Sequence, residues 1–588
     1  MNGIMIATTV ILVIMVIIFI LLGIWFKKMV KSSEDFLLAG RKAPFWLLAC
    51  AYLGGTVGGA SVSGYTGIGY TGGIGQMWTS MFLIFFTTLF IVLFARRLNY
   101  FGRTTGAVTI SDFACARYGE CMRLPVALCS FLRPGILTGM QFLAIAVALN
   151  VVLGLTLSVG VIISSLVILL YMITGGQYSA MVNQLIQSLF QSVGILLFAL
   201  AAFKILGNPN EVYAQMQATL PASFLSVWDI DFSQVSTWLL TLGLFYLVDP
   251  WGYMWAYVGE TPRVSSNAQL AILGGSYYNV LPFLAGMAIA VGAATQILDV
   301  PEGLSPDGFY VWFSTSQLPA GIAVLILVGL LMTIISCGSS FAMNGVTIVT
   351  RDMFQMVFKK NATPNQMLVA SRVSVFLVIV FGIVCALWLP ILVPLWVLAQ
   401  ALVVSGLFAP IMSAWFWRRA TTAGAMASCI GGMIAAFSWA VYAWITTGSP
   451  GTIIHGFHAA HIGMFISIPL MIVISLVTKA NYEASRRTHY FDLGREMMQN
   501  INDPAIKKGF FGWLGASKTY MKAFWIFVFT VFILHFLLAF VFQNVIAGTA
   551  LIWSSVIMGI VMVLLLGILG TRDIYGLVKD FKSREKLS

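Results

Sequence analysis

Gly54-Gly55-Thr56-Val57-Gly58-Gly59-Ala60-Ser61 interrupts an apolar stretch that runs from 45 to 70. A helix of about 20 residues crosses a hydrocarbon layer, so the stretch is long enough to span one. Glycine in a helix interior costs about 1 kcal/mol relative to alanine, and four glycines in six residues argue for a break. Backbone freed at membrane depth is tolerated only where it lines a cavity enclosed by protein. A second apolar stretch, 237–258, carries Asp249-Pro250-Trp251-Gly252, and proline there removes a donor and stops a helix. Interruptions at matching places in two halves of a chain point to the binding site of a transporter. Close packing through small residues is the competing account of the glycines, but it leaves Asp249 beside Pro250 unexplained.

Around these two interruptions the 588 residues are 60% hydrophobic and only 9% charged. Soluble domains average about 45–50% and about 25%. A soluble fold would leave too much of that surface wet, so lipid is the solvent for most of the chain. Apolar runs define fifteen spans: 4–26, 45–70, 76–96, 124–153, 155–175, 183–205, 237–258, 269–296, 318–349, 370–390, 391–417, 423–446, 459–478, 523–545 and 549–570. The fold class expected is therefore an all-α polytopic membrane protein.

Charge gives an independent check. With the N-terminus outside, the cytoplasmic segments are 27–44, 97–123, 176–182, 259–268, 350–369, 418–422, 479–522 and the tail from 571. All but two of the 32 Lys and Arg, Arg133 and Lys204, then lie in these segments or at their span edges. The outside loops hold Glu211, Asp229, Asp231, Asp299, Glu302 and Asp307 instead. Such asymmetry is the rule for membrane proteins and accounts for the net charge of +12 without nucleic acid. Ile4 to Phe26 has no basic lead-in and is followed by Lys27 and Lys28, which predicts a retained first span rather than a cleaved signal. Cys50, Cys115, Cys121, Cys129, Cys337, Cys385 and Cys429 fall in spans or cytoplasmic loops without C-x-x-C spacing, so no disulfide framework is expected.

The loop after the first span reads Ser33-Glu34-Asp35-Phe36-Leu37-Leu38-Ala39-Gly40-Arg41. With Arg117-Tyr118-Gly119, Gly175-Gly176, Gln187 and the run from Asn344 to Asp352, it resembles the sodium/solute symporter family over about residues 1–478. The resemblance implies an inverted five-plus-five helix core of the leucine-transporter type, with the second and seventh spans broken at the substrate. It further implies Na+ as the coupling ion and no organic cofactor. The ion would lie between the second and ninth spans, on the carbonyls of Gly54, Val57 and Thr333 and the side chain of Ser336, with Cys337 at the next ligand position. Two departures stand out: the family usually has a hydroxyl where Cys337 stands, and often an aspartate where Gln184 stands. A thiol is a poor ligand for a hard cation.

Asp249 is the sharpest ionisable candidate, because a carboxylate at membrane depth is a functional hypothesis by default. Among Tyr246, Trp251, Tyr253, Trp255 and Tyr257 it would serve a cationic solute with cation–π support. It would equally bind the coupling ion or a proton, or pair with Arg133, which could itself meet a substrate carboxylate. Thr56 and Ser61 match positions that face substrate in related sugar carriers, and Trp78, Gln141 and Gln400 are further substrate-site candidates, each weighed against plain helix packing. His455, His458 and His461 stand three apart in an outside loop; a shared metal competes there with a solvated loop, the reading preferred without a Cys or carboxylate alongside.

The expected function is sodium-coupled symport, an uptake of a small polar organic solute by alternating access. A proton-coupled or sodium-independent carrier, or a solute sensor on the same fold, is the alternative. An enzyme would need clustered carboxylates or a His/Glu metal pair at membrane depth, and a channel a ring of filter residues. The organisation expected is a first span and loop (1–44), two five-helix repeats (45–205 and 206–422), additional spans (423–478), a cytoplasmic loop (479–522) and two last spans with a tail (523–588). The partners are the solute and the bilayer, most simply a bacterial inner membrane, with no nucleic acid.

Overall fold

The computed structural model describes residues 3–26, 33–270, 277–500, 519–570 and 575. The regular elements among them are helical, and two isolated β-bridges, Ala43 with Gly259 and Ile454 with Phe457, are the extended pairings. In chain order the main helices are α1 Gly3–Phe26, α2 Phe45–Thr56, α3 Ala60–Gly72, α4 Ile74–Thr105, α5 Ile110–Tyr118, α6 Arg123–Leu153, α7 Leu157–Leu206, α8 Phe232–Trp238 and α9 Pro250–Val258. There follow α10 Tyr277–Ala294, α11 Ala320–Thr347, α12 Pro364–Trp388, α13 Leu392–Phe416, α14 Thr422–Thr447, α15 Ala459–Val477, α16 Tyr490–Asn500, α17 Thr519–Phe540 and α18 Val545–Leu565.

Among the described residues ten helices are long and apolar enough to cross a membrane, or eleven if α2 and α3, bent by 62° at their junction, form one crossing. The chain is thus a multi-pass membrane protein. Length and apolarity mark fewer crossings than the fifteen expected, because Leu157–Leu170, Tyr278–Ala294 and Val528–Phe540 are apolar but short, and the 237–258 stretch is broken.

α7 runs for 50 residues, where two crossings joined by a turn at 176–182 were expected. Straight, it would be about 75 Å long, more than twice the hydrocarbon thickness. Its contacts are those of two arms. Gln184 donates from Nε2 to Ser340 Oγ at 2.5 Å, while Ile168 Cδ1 lies 2.9 Å from where a Cβ would stand on Gly338. Residues 168 and 184 of a straight helix are about 24 Å apart, yet both reach α11 within two residues of each other, at Gly338 and Ser340.

The loops segregate to two opposite faces. On one, Arg103 donates to the carbonyls of Arg41 and Gly259, Arg117 to those of Arg418 and Asn481, and Arg418 pairs with Asp492. Arg123 there joins Asp112 at 2.8 Å and Asp352 at 3.2 Å. On the other, Trp78 Nε1 donates to Val227 O, Leu392 N to Asp307, and Gln217 to Gln543 O. The basic stretches 27–32 and 501–518 and nearly all of the tail lie outside the described residues.

Candidate functional site

α2 ends because Val57 leaves the helical region (φ −89°, ψ 116°). The last carbonyls of a helix have no partner within it. Val57 N–H takes that of Leu53 at 3.2 Å, which leaves those that follow to other donors. α11 supplies one: the Cys337 thiol donates to Gly55 O at 3.2 Å. The approach is close enough to require glycine. A Cβ on Gly54 would stand 2.7 Å from Ser336 Oγ, one on Gly55 2.4 Å from Ser340 Oγ, and one on Gly58 2.6 Å from Cys337 Sγ.

Ser336 Oγ is buried and has no hydrogen-bond partner among the described residues. A buried hydroxyl is rarely left so, since desolvating it without a partner costs about 1–3 kcal/mol. Beside the freed carbonyl end of α2 it is a hard oxygen donor in the right chemical company for a sodium ion. Thr333 Oγ1 donates back to Gly329 O at 2.7 Å. Cys337 is occupied with Gly55. Gln184, beside Gly54, leaves its own Oε1 without a partner among the described residues.

The second interruption is built differently. Asp249 is extended (φ −62°, ψ 114°) and caps α9, accepting from Trp251 N at 3.0 Å, with Pro250 at the first helical position. That is the arrangement an Asp-Pro pair favours, because proline lacks the N–H that a first turn leaves unpaired. The same Asp249 Oδ1 accepts from Arg133 Nη1 at 2.8 Å, both side chains 3% exposed. Four rings surround the guanidinium: Phe341 and Phe245 at 4.9 and 5.0 Å, Tyr246 and Trp251 at 6.0 Å. The carboxylate and two of the five aromatics proposed for a cationic solute, Tyr246 and Trp251, are therefore engaged by the protein's own arginine. Arg133 Nε has no partner among the described residues.

Between the interruptions lies a closed cavity of about 20 Å³, walled by Tyr52, Thr56, Ser61, Arg133, Tyr246, Trp251, Cys337, Phe341 and Trp396. It holds about one water, so the walls must part to admit a solute. Of the expected substrate residues, Thr56, Ser61 and Trp251 line it and Asp249 holds its Arg133. Thr56 Oγ1 bonds back to Tyr52 O at 2.7 Å. Gln400 stands one layer behind: with its amide oriented to suit its neighbours, it donates to Thr241 O at 2.7 Å and accepts from Trp396 Nε1 at 2.8 Å and Tyr246 OH at 3.3 Å. Gln141 accepts from Gly59 N at 3.0 Å and braces the break. Trp255 packs edge-on against Tyr52 and Trp251.

The structure does not bring Trp78 to the cavity. Its N–H is satisfied by Val227 O and its ring packs on Phe82, Trp228 and Phe540 at the far face. Only His455 of the three histidines is exposed, in a turn. His458 and His461 are buried, and they form a capping box at the start of α15, with His461 also reaching Ser236 Oγ at 3.0 Å. Among the described residues no group of three His, Cys, Asp or Glu gathers as a metal would require. Tyr52, Phe341 and Trp396 went unnoticed in the sequence. Phe341 follows Cys337 by four residues, the one spacing that placed it on the same helix face.

Two interrupted helices meeting at an enclosed cavity that holds a buried arginine, inside a lipid-facing bundle, point to a secondary transporter. The model of the sodium:solute symporter family matches residues 36–258 and 271–432, and the chain belongs to that family; its function is sodium-coupled symport. It is 22% identical over 471 residues to the sodium/glucose cotransporter of Vibrio parahaemolyticus, covering 73% of this chain and 83% of that one. To the osmoregulated proline transporter of Bacillus subtilis it is 23% identical over 488 residues, covering 80% and 94%. A solved Na+-coupled sialic acid symporter in a substrate-bound outward-open state shares the fold, with a TM-score of 0.67 and 19% identity over 81% of this chain and 99% of that one.

Proposed function

We propose that the chain takes up a small polar organic solute bearing a carboxylate, by alternating access, with Na+ held between the end of α2 and the middle of α11. The observation that carries the ion site is the unpartnered, buried Ser336 Oγ facing Gly54. Gly54, Val57 and Thr333 supply carbonyls, and Cys337 stands at the fifth position as a weak ligand. The solute class rests on Arg133. It sits in the cavity wall, is neutralised through one nitrogen by Asp249, and keeps Nε for a further acceptor. Thr56, Ser61 and Trp251 meet the solute, while Asp249, Gln141, Trp255 and Gln400 hold the groups that do.

The ten long helices, the bent α2–α3 pair, the three short apolar helices and the broken 232–258 segment together support fifteen crossings. Residues 45–205 and 206–422 then form the two inverted repeats, each opened by its broken helix. The face rich in arginine is the cytoplasmic one, with the N-terminus outside a plasma membrane, most simply a bacterial inner membrane. A cysteine placed at Glu211 should label in intact cells and one at Arg495 only after permeabilisation; the reverse overturns this orientation.

Uptake into proteoliposomes, with monocarboxylates, amino acids, sugars and amines each offered with and without a sodium gradient, tests the whole reading. Sodium-driven accumulation of a carboxylate-bearing solute is expected. Accumulation of amines alone would refute the solute class, and accumulation indifferent to sodium would refute the ion site.

A further inference from the structure

α16, Tyr490–Asn500, lies in the polar segment between α15 and α17, which the sequence offered only as a cytoplasmic loop. It is docked on the bundle. Arg97 of α4 lays its guanidinium over the Tyr490 ring, with Cζ 3.7 Å from the centroid, and donates from Nε to Tyr490 O at 3.2 Å. Gly494 follows one turn on, where a Cβ would stand 2.9 Å from the same Nε. On the other side Asp492 pairs with Arg418, just past the end of α13, at 2.7 Å, and Thr488 Oγ1 donates to Ala414 O of α13 at 3.1 Å. The stretch 488–500 therefore ties α4, from one of the two proposed repeats, to α13, from the other.

What it ties together is an aromatic plug. The Tyr490 ring meets Phe94 of α4 and Trp415 of α13, with centroids 6.0 and 6.2 Å away. Trp415 stacks on Phe113 of α5 at 4.5 Å and donates from Nε1 to Tyr253 OH of α9 at 2.8 Å. Tyr253 stands two residues beyond Trp251, a wall of the closed cavity. It is about 3 Å further along α9, toward Gly259 and the arginine-rich face. The plug thus lies between the cavity and that face, and Tyr490 forms its base. α4 is π-wound over Ile91–Ala95, where Phe94 enters the plug, and such turns cluster at functional places.

The docking is light enough to be undone. Leu493, Gly494 and Met497 are the buried residues of α16. The Arg418 side chain is 47% exposed, and ion pairs of that kind contribute little. Elements that move in a working cycle are drawn from the weakly held parts of a structure. We propose that the stretch 488–500 is a latch: docked, it holds the aromatic plug shut, and it lifts before solute and ion leave toward the arginine-rich face. This rests on the alternating-access reading above.

Cys337 lines the cavity and is a built-in reporter of access to it. A membrane-impermeant maleimide is applied to the full chain in inside-out and in right-side-out vesicles, without sodium. Peptide mass spectrometry then reads the alkylation rate at Cys337 apart from the other cysteines. Losing a cation–π contact shifts a two-state balance by about two- to thirtyfold. Arg97→Ala and Tyr490→Ala should each speed alkylation roughly tenfold in inside-out vesicles and should not speed it in right-side-out vesicles. Tyr490→Phe, which keeps the ring, should restore the wild-type rate, and Tyr482→Ala, exposed and outside the docked stretch, should match it. Rates unchanged in both latch variants, or raised equally in the two kinds of vesicle as a loosened fold would give, overturn the latch. If wild type is labelled from either side and the variants change nothing, the latch alone fails. Cys337 protected from both sides in every protein would refute alternating access with it.

Discussion

Replacing Asp249 by asparagine isolates the charge of the buried pair. Asparagine caps a helix about as well as aspartate, so the bond from Trp251 N to the residue at 249 survives. What is lost is the counter-charge to a guanidinium that is 3% exposed and 2.8 Å away. Breaking a buried pair by removing one partner costs about 3–5 kcal/mol, because the other charge stays buried alone. Asp249→Asn and Arg133→Met should each lower stability by about that amount. The double variant buries no charge and keeps the four rings packed around an apolar stem, so it should lie closer to wild type than either single variant. The coupling between the two sites should then be at least about 2 kcal/mol. Reversible unfolding by SDS in mixed micelles measures all four proteins. Single variants within about 1 kcal/mol of wild type, or a double variant whose loss equals the sum of the two, would refute the assignment of Asp249 as the positioning partner of Arg133. Uptake should be absent in the double variant even where stability returns, since Arg133 lines the cavity.

Gly55→Ala and Gly58→Ala should each cost about 1–3 kcal/mol through overpacking and abolish sodium-driven uptake, since a Cβ at these positions meets Ser340 and Cys337. Gly321→Ala, with nothing within 4 Å, should leave both stability and uptake unchanged. In the loop before α11, burial pushes the Asp307 carboxyl up from its ordinary 3.8 to about 6, against the pull of Leu392 N–H. The folded state then binds the proton more tightly than the unfolded chain. The stability this contributes is present below about pH 4 and is lost as pH rises toward 6. Thermal unfolding between pH 4 and 6 should show that slope in wild type and a flatter one in Asp307→Asn; identical slopes would contradict it.

The two breaks were legible because both are written in local chemistry: a glycine cluster at 54–59, and an Asp-Pro pair that caps one helix while ending another. The Arg133–Asp249 pair was foreseen only as one of several uses of Asp249, since residues 116 apart in sequence carry no mark of their contact. Tyr52, Phe341 and Trp396 were hidden for a different reason. In a chain that is 60% hydrophobic, an aromatic facing the cavity and one facing lipid have the same periodicity. The facing of Ser336 onto Gly54 came from the family resemblance, and no local rule would have supplied it. Trp78 misled because its spacing fits a core position while its N–H is spent on a loop 149 residues away. His458 and His461 misled because outside loops are usually wet, whereas the unpaired N–H groups at the start of α15 draw side-chain acceptors into the protein.

Sodium binding measured on the purified chain, with radioactive Na+ and without any solute, tests the central claim most directly. Wild type should bind saturably but weakly, because four oxygens and a thiol make a thin shell for a hard ion. Ser336→Ala removes the only side-chain oxygen and should weaken binding several-fold, the scale of about 1 kcal/mol for one polar contact. Cys337→Ser puts a hydroxyl beside the Gly55 carbonyl and should tighten binding by a similar factor. Binding of the same strength in all three proteins would mean that sodium does not lie between α2 and α11.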